Sequence, residues 1–292
     1  VGGAAAIPLY FASARIRELA PIASEDPAPF LALFLLPAFN VDLLKFHAII
    51  ALVAPLLGLV FAFDGVNGER SEGTLPRLLS QPIYRDDVIN GKFAAGLAVI
   101  SLVLVAMTVI VVGFGIVRLG VVPRGSELLR IVAWLFATIV YVGLWLSLGT
   151  LLSVVFRRAA NSALVGFGAW VATTLFGSLI VSLVASFIAP VRADAGAEQQ
   201  LANAQIQDLI QSVLPVNLYA QVAQVVLDPS QVSVSTPSTI DQIIQAQQQI
   251  PTLFSVDQSL LLVWPQIVAL VAITVALFAV AYVGFMRQEV RA

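Results

Sequence analysis

The sequence predicts an all-α integral membrane protein, a polytopic helical bundle, and three observations carry that prediction. Hydrophobic residues make up 59% of the chain and charged residues 11%, whereas soluble domains carry about 25% charged residues. The mean hydropathy is +0.95. Five stretches are apolar over the roughly 20 residues that a helix needs to cross a bilayer. The formal net charge of −2 and the lack of a basic patch interleaved with aromatics give no support to nucleic acid as a partner. With no cysteine and a single histidine, disulfides and thiolate metal sites are excluded and no metal or cofactor site is expected.

Taken in order, residues 1–12 are apolar but too short to span, and Arg15 and Arg17 close the stretch. They are expected to be the outer end of a first span whose beginning precedes the chain. A proline-containing loop follows, and its core PFLALFLLPAF is long enough to lie in the membrane interface but not to cross. Complete spans are expected at 46–63, 93–117, 131–156, 162–189 and 260–286. Asp86 and Asp87 sit where the helix of the second of these begins, and the helix dipole favours negative charge there. The stretch RLGVVPRGSELLR is expected to be a short turn into the third, and Arg157-Arg158 a tight loop into the fourth.

Between the last two spans lies a hydrophilic insertion, 190–259, rich in Gln and nearly free of basic residues. Leu201, Ile206, Leu209, Ile210 and Val213 fall on one helical face. Pro215 breaks that helix, NLYAQVAQVVLDP suggests a second, and 239–250 a third. Together they predict a small helical cap.

The polar segment 64–92, DGVNGERSEGTLPRLLSQPIYRDDVINGK, joins the first two complete spans. Leu75, Leu78 and Leu79 form a stripe at helical spacing. Thr74 is placed to cap a helix over 74–81, Pro76 is tolerated in its first turn, and Pro82 ends it. Arg77, Ser80 and Gln81 point away from the stripe. Two turns of helix are not stable alone, so these leucines must pack either on the feet of neighbouring spans or on a partner protein. Lys and Arg are denser on this side of the bundle than on the side of the insertion. That asymmetry orients 64–92 to the cytoplasm and 190–259 outside.

None of the five expected spans contains Asp, Glu, Lys or Arg. A carrier driven by an ion gradient usually needs an ionisable or ion-coordinating group near the midplane, so this absence counts against one. Glycines at 113, 115, 143, 149, 166, 168 and 177 permit close helix approach, although glycine is common in membrane helices in any case. Trp134, Trp145, Trp170 and Trp264 are expected as packing or interface residues. No G-x-x-x-x-G-K-[ST] occurs, and GVNGERS lacks both the lysine and the spacing to cradle phosphates. The chain is therefore not expected to be an enzyme, and no catalytic or substrate-binding residue is assigned.

With the inner segment placed, the pattern of a span ending in Phe-Asp, then GERSEGTL, Leu-Leu-Ser, Gln-Pro-Ile, Arg85 and Gly91-Lys92 resembles the permease subunits of type-2 ABC exporters. Glu69, Arg70, Glu72, Gly73, Thr74 and Leu75 carry the match, and Ser71 stands where Glu is frequent in that family. The likeness extends to Leu-Pro-Val-Asn-Leu-Tyr at 214–219 and to the arginine-bearing tail after Phe285. The resemblance implies six spans, a prokaryotic plasma-membrane location, and a homo- or heterodimer of permeases. It further implies cytoplasmic ABC ATPases that bind ATP and Mg and dock on the 74–81 coupling helix. Glu69, Arg70, Glu72, Gly73, Thr74, Leu75, Arg77, Leu78 and Leu79 would then form the docking site. A gradient-driven carrier and a non-transporting membrane scaffold or sensor remain the alternatives.

Overall fold

The computed structural model describes residues 30–35, 46–73, 84–119, 122–190, 196–228 and 254–287. Among them ten helices and no strand occur: α1 (Ala32–Leu35), α2 (Phe46–Ala62), α3 (Asn67–Ser71), α4 (Arg85–Leu119), α5 (Gly125–Val155), α6 (Ala159–Thr174), α7 (Gly177–Ile188), α8 (Ala197–Val213), α9 (Pro215–Leu227) and α10 (Val256–Met286). Residues 1–29, the expected coupling helix 74–81 and the expected helix 239–250 lie outside the described residues.

Helix α5 is the axle of the bundle. It packs against α2, α4, α6, α9 and α10, and it buries Trp134, Tyr141, Trp145 and Leu146 almost completely. Its approach to α2 is a backbone contact, because each helix brings a glycine to the crossing, at successive turns. A Cβ on Gly58 would sit 2.8 Å from the Val142 carbonyl oxygen, and one on Gly149 would sit 2.8 Å from Ala62 Cβ. Gly113 and Gly168, by contrast, have open space where a Cβ would stand. At one end, Phe34, Phe46 and Trp134 form an aromatic cluster with centroids 5.4 to 5.8 Å apart. At the other end, Val66, Val88, Ile89, Val154 and Phe285 gather the ends of α2, α4, α5 and α10 into a second, smaller core.

Four helices, α4, α5, α10 and the continuous stretch formed by α2 and α3, are long and apolar enough to cross a bilayer; counting each bent pair as one span makes six. Large apolar side chains such as Leu102, Ile110, Leu164, Val268 and Val275 are exposed along α4, α6 and α10, as a lipid-facing surface requires.

Several elements differ from expectation. Helix α4 begins at Arg85, with Asp86 and Asp87 in its first turn as expected, so it extends about two turns beyond the apolar stretch 93–117. Helix α5 begins at Gly125, so the expected turn before residue 131 is largely helix. Its N-terminus can be extended because Glu127 Oε2 accepts the Arg124 N–H at 2.8 Å and so satisfies one of the donors that a helix start leaves open. The stretch 162–189 is not one straight helix; α6 ends at Thr174 and α7 leaves it at 73°.

The second helix of the insertion is no cap. Helix α9 lies inside the bundle against α5 and α10, with Leu218, Tyr219, Val222, Ala223, Val225, Val226 and Leu227 all buried. The face expected on the first insertion helix is divided as well. Leu201, Leu209 and Val213 are exposed, while Asn203 is buried because α7 packs on that side.

Candidate functional site

The described part of the polar segment builds a small platform at the second core. After α2 ends, Phe63–Val66 turn the chain, with the Gly65 N–H donating to Ala62 O at 3.1 Å. The first donors of α3 then find an acceptor outside the segment. The backbone N–H groups of Val66 and Asn67 both donate to Ser153 Oγ of α5, at 2.9 and 3.2 Å. Val66 is 2% exposed and Asn67 0%, so no water competes for these groups. Ser153 lies one turn from Gly149, on the same face of α5. A single strip of that helix therefore holds both the last turn of α2 and the first turn of α3.

Helix α3 stops after five residues, and Gly73 is the reason. It adopts φ +70°, the left-handed conformation that glycine tolerates at a helix end. Its N–H returns to Arg70 O at 3.3 Å while the Glu72 N–H returns to Gly68 O at 2.9 Å. Across the segment, Lys92 Nζ donates to Glu69 Oε1 at 2.5 Å, which ties α3 to the second turn of α4. The side chains of this pair are about a third exposed, at 31% and 28%. The Asn67 side chain is enclosed beside Ser153, with neither amide atom hydrogen-bonded.

The opposite end of the bundle carries a second polar construction. Arg130, 3% exposed, donates from Nη1 to Val226 O at 2.9 Å and to Ser259 Oγ at 3.0 Å, and from Nη2 to Phe254 O at 2.6 Å. One guanidinium thus joins the end of α9 to the start of α10, with Asp228 close enough to interact electrostatically. Glu127 Oε1 accepts the Phe30 N–H at 3.1 Å. Deeper along α5, Thr138 shares a 3.0 Å hydrogen bond with the Tyr219 hydroxyl. Tyr219 stacks on Tyr141 at 4.5 Å and 10°, and Tyr141 donates to Ala51 O at 3.3 Å. Residues 130, 134, 138 and 141 recur at helical spacing along α5, so one stripe seats α9.

The sequence matches the family described as ABC-2 family transporter protein over residues 9–290. The chain belongs to that family. No curated protein matches it. This ABC-2 permease is a multi-pass, all-α membrane component of an ABC transporter. Its family is a transmembrane component rather than a catalytic ATPase, and membership implies association with ABC ATPase partners.

Of the residues singled out in the permease sequence, Glu69, Arg70, Glu72 and Gly73 fall on and just after α3. Thr74, Leu75, Arg77, Leu78 and Leu79 lie outside the described residues. Glu69 is paired within the segment, through Lys92. Ser153 and Arg130 escaped the sequence reading. A serine in LLSVV carries no signal, because a buried serine can equally bond its own helix, as Ser147 does to Gly143 O. Arg130 did carry one: at helical spacing it shares the face of Trp134, Thr138 and Tyr141.

Proposed function

We propose that this permease is the transmembrane subunit of an ATP-driven exporter. A separate cytoplasmic ATPase that binds ATP and Mg docks on 74–81 and drives alternating access of two permease subunits, in a homo- or heterodimer. The segment 64–92 faces the cytoplasm of a prokaryotic cell and 190–259 faces outside. The observation that carries this reading is the family match over residues 9–290, and the tie-down of α3 gives it a mechanical basis. A helix anchored to α5 through Ser153 and to α4 through Lys92 is a stiff base for a docking segment that begins one residue after Gly73. A push on 74–81 passes directly into the axle helix and into α4. The buried charged groups among the described residues, Glu127 and Arg130, sit in the first turns of α5, away from the middle of the bundle. That location agrees with an energy supply from outside the membrane domain.

The test is affinity purification of the tagged permease from its native membranes. The wild type should retain an ATP-hydrolysing subunit. Leu78→Asp with Leu79→Asp should lose it while keeping the same thermal melt. Transport in vesicles should require ATP and survive an ionophore. Transport that needs no ATP and collapses with the ionophore would establish a gradient-driven carrier instead.

A further inference from the structure

We infer that α7 is not a spanning helix. It lies flat in the bilayer interface at the Arg130 end of the bundle, with its outward face against lipid acyl chains and α8 above it on the water side. This inference rests on the shape and surface of the α7–α8 hairpin and is independent of the transport reading.

The first argument is length. Arg157 and Arg158 are exposed at the start of α6 and mark a membrane boundary. The 16 residues of α6 rise about 24 Å at 1.5 Å per residue, against a hydrocarbon core of about 30 Å. Only about 6 Å remain when the chain bends by 73° into α7. The 12 residues of α7 are about 18 Å long, and at that angle they advance about 5 Å along the direction of α6. The crossing is therefore complete at the end of a helix lying nearly in the membrane plane.

The second argument is the division of polarity within the hairpin. Helices α7 and α8 pack on each other, with Gly177, Val181 and Ala185 buried along one face of α7. The base closes where Gly177 meets Leu214, and Asn203 Nδ2 donates to Ala189 O at 2.8 Å beyond the end of α7. Outward, α7 exposes Leu179, Ile180, Leu183, Val184, Phe187 and Ile188. No ionisable residue occurs over 175–188. The Ser182 and Ser186 hydroxyls donate to Leu179 O and Ser182 O of their own helix, so these serines enter lipid already satisfied.

Helix α8 is different. It exposes Glu198, Gln199, Gln200, Gln205 and Asp208 beside Leu201, Leu209 and Val213, and it carries no Lys or Arg. A hairpin in water would leave the α7 face as a large exposed apolar patch. A hairpin plunged across the membrane would drag Glu198 and Asp208 through hydrocarbon. Lying in the interface, with α7 below and α8 above, satisfies both helices. The bend of 82° between α8 and α9 then returns the chain from that plane into the bundle.

The chain has no cysteine, so single cysteines report cleanly. Spin labels would be placed at Leu179→Cys, Leu183→Cys and Phe187→Cys on α7, and at Gln205→Cys on α8. Leu261→Cys, Val268→Cys and Val275→Cys on α10 supply the reference for a spanning helix. Depth is read from oxygen and nickel-chelate accessibility in phosphatidylcholine/phosphatidylglycerol liposomes, using variants that melt like the parent. Expected is an oxygen-rich, nickel-poor signal at all three α7 positions, a nickel-accessible label at 205, and a steady depth gradient along α10. With the 73° bend kept, the α7 labels should differ in depth by only about 3–4 Å, whereas a spanning helix would separate 179 from 187 by about 12 Å.

That 12 Å gradient would overturn the inference. So would nickel access along α7, which places it in water. Immobilised labels with dipolar broadening that is relieved by dilution with unlabelled protein would show a second copy covering the face and would also refute it.

Discussion

Replacing Ser153 with alanine removes one oxygen and strands two donors. The Val66 and Asn67 N–H groups both rest on Ser153 Oγ, and neither residue has appreciable solvent access. A buried donor left without a partner costs about 1–3 kcal/mol, so the first turn of α3 should be destabilised by about 2–6 kcal/mol. Rotation of the freed peptide groups toward other acceptors pulls the value to the lower end. A loss of about 2 kcal/mol corresponds to roughly a 30-fold larger opening constant, and because α3 has only five residues the opening should stay local.

Hydrogen–deuterium exchange read by mass spectrometry on peptides over 62–73 is the direct assay. Those amides should exchange at least about 30-fold faster in the alanine variant, while peptides from 256–273 in α10 serve as an unchanged internal control. Unaltered exchange at 62–73 would refute the claim that the α5 hydroxyl holds the platform. Uniform acceleration through α10 would show instead that Ser153 supports the whole bundle.

Three further outcomes follow from the same geometry. Gly149→Ala drives a Cβ to 2.8 Å from Ala62 Cβ and should cost about 1–3 kcal/mol, whereas Gly168→Ala, with open space around it, should stay within about 0.5 kcal/mol; intrinsic-fluorescence melts compare the two. Arg130→Met removes three hydrogen bonds and should cost about 3 kcal/mol, because charge-assisted bonds are strong but the guanidinium's own desolvation is relieved. Arg130→Lys should fall between, and equal melts for all three proteins would remove the proposed clamp. Lys92→Gln breaks a partly exposed ion pair and should shift stability by less than about 1 kcal/mol. A larger fall in the melt would mean that the pair is tied into a wider network.

The fold class was open to sequence reading because hydropathy is a property of composition, and helix is one of the few ways to satisfy a backbone in lipid. Where that reading went astray, charge was the cause. Their charge points Arg130 and Glu127 to a turn, yet both are buried in the opening turns of α5, one spent on carbonyls and a hydroxyl, the other on two N–H groups. Likewise, the polar neighbours of α9 point to an outer cap. Its own sequence, PVNLYAQVAQVV, has apolar residues enough to be buried on several sides. Gly73 was legible as part of a motif, and its positive φ supplies the reason. Ser153 was not legible, since its role depends on two backbone donors more than 80 residues away.

The Arg130 clamp has a consequence for everything strung between Asp228 and Phe254. Because one side chain grips Val226 and Phe254 together, that stretch departs from and rejoins the protein at a single hub, and its ends are already closed. The end of α9 and the start of α10 are therefore tied to one point on α5, so neither can shift without carrying the other.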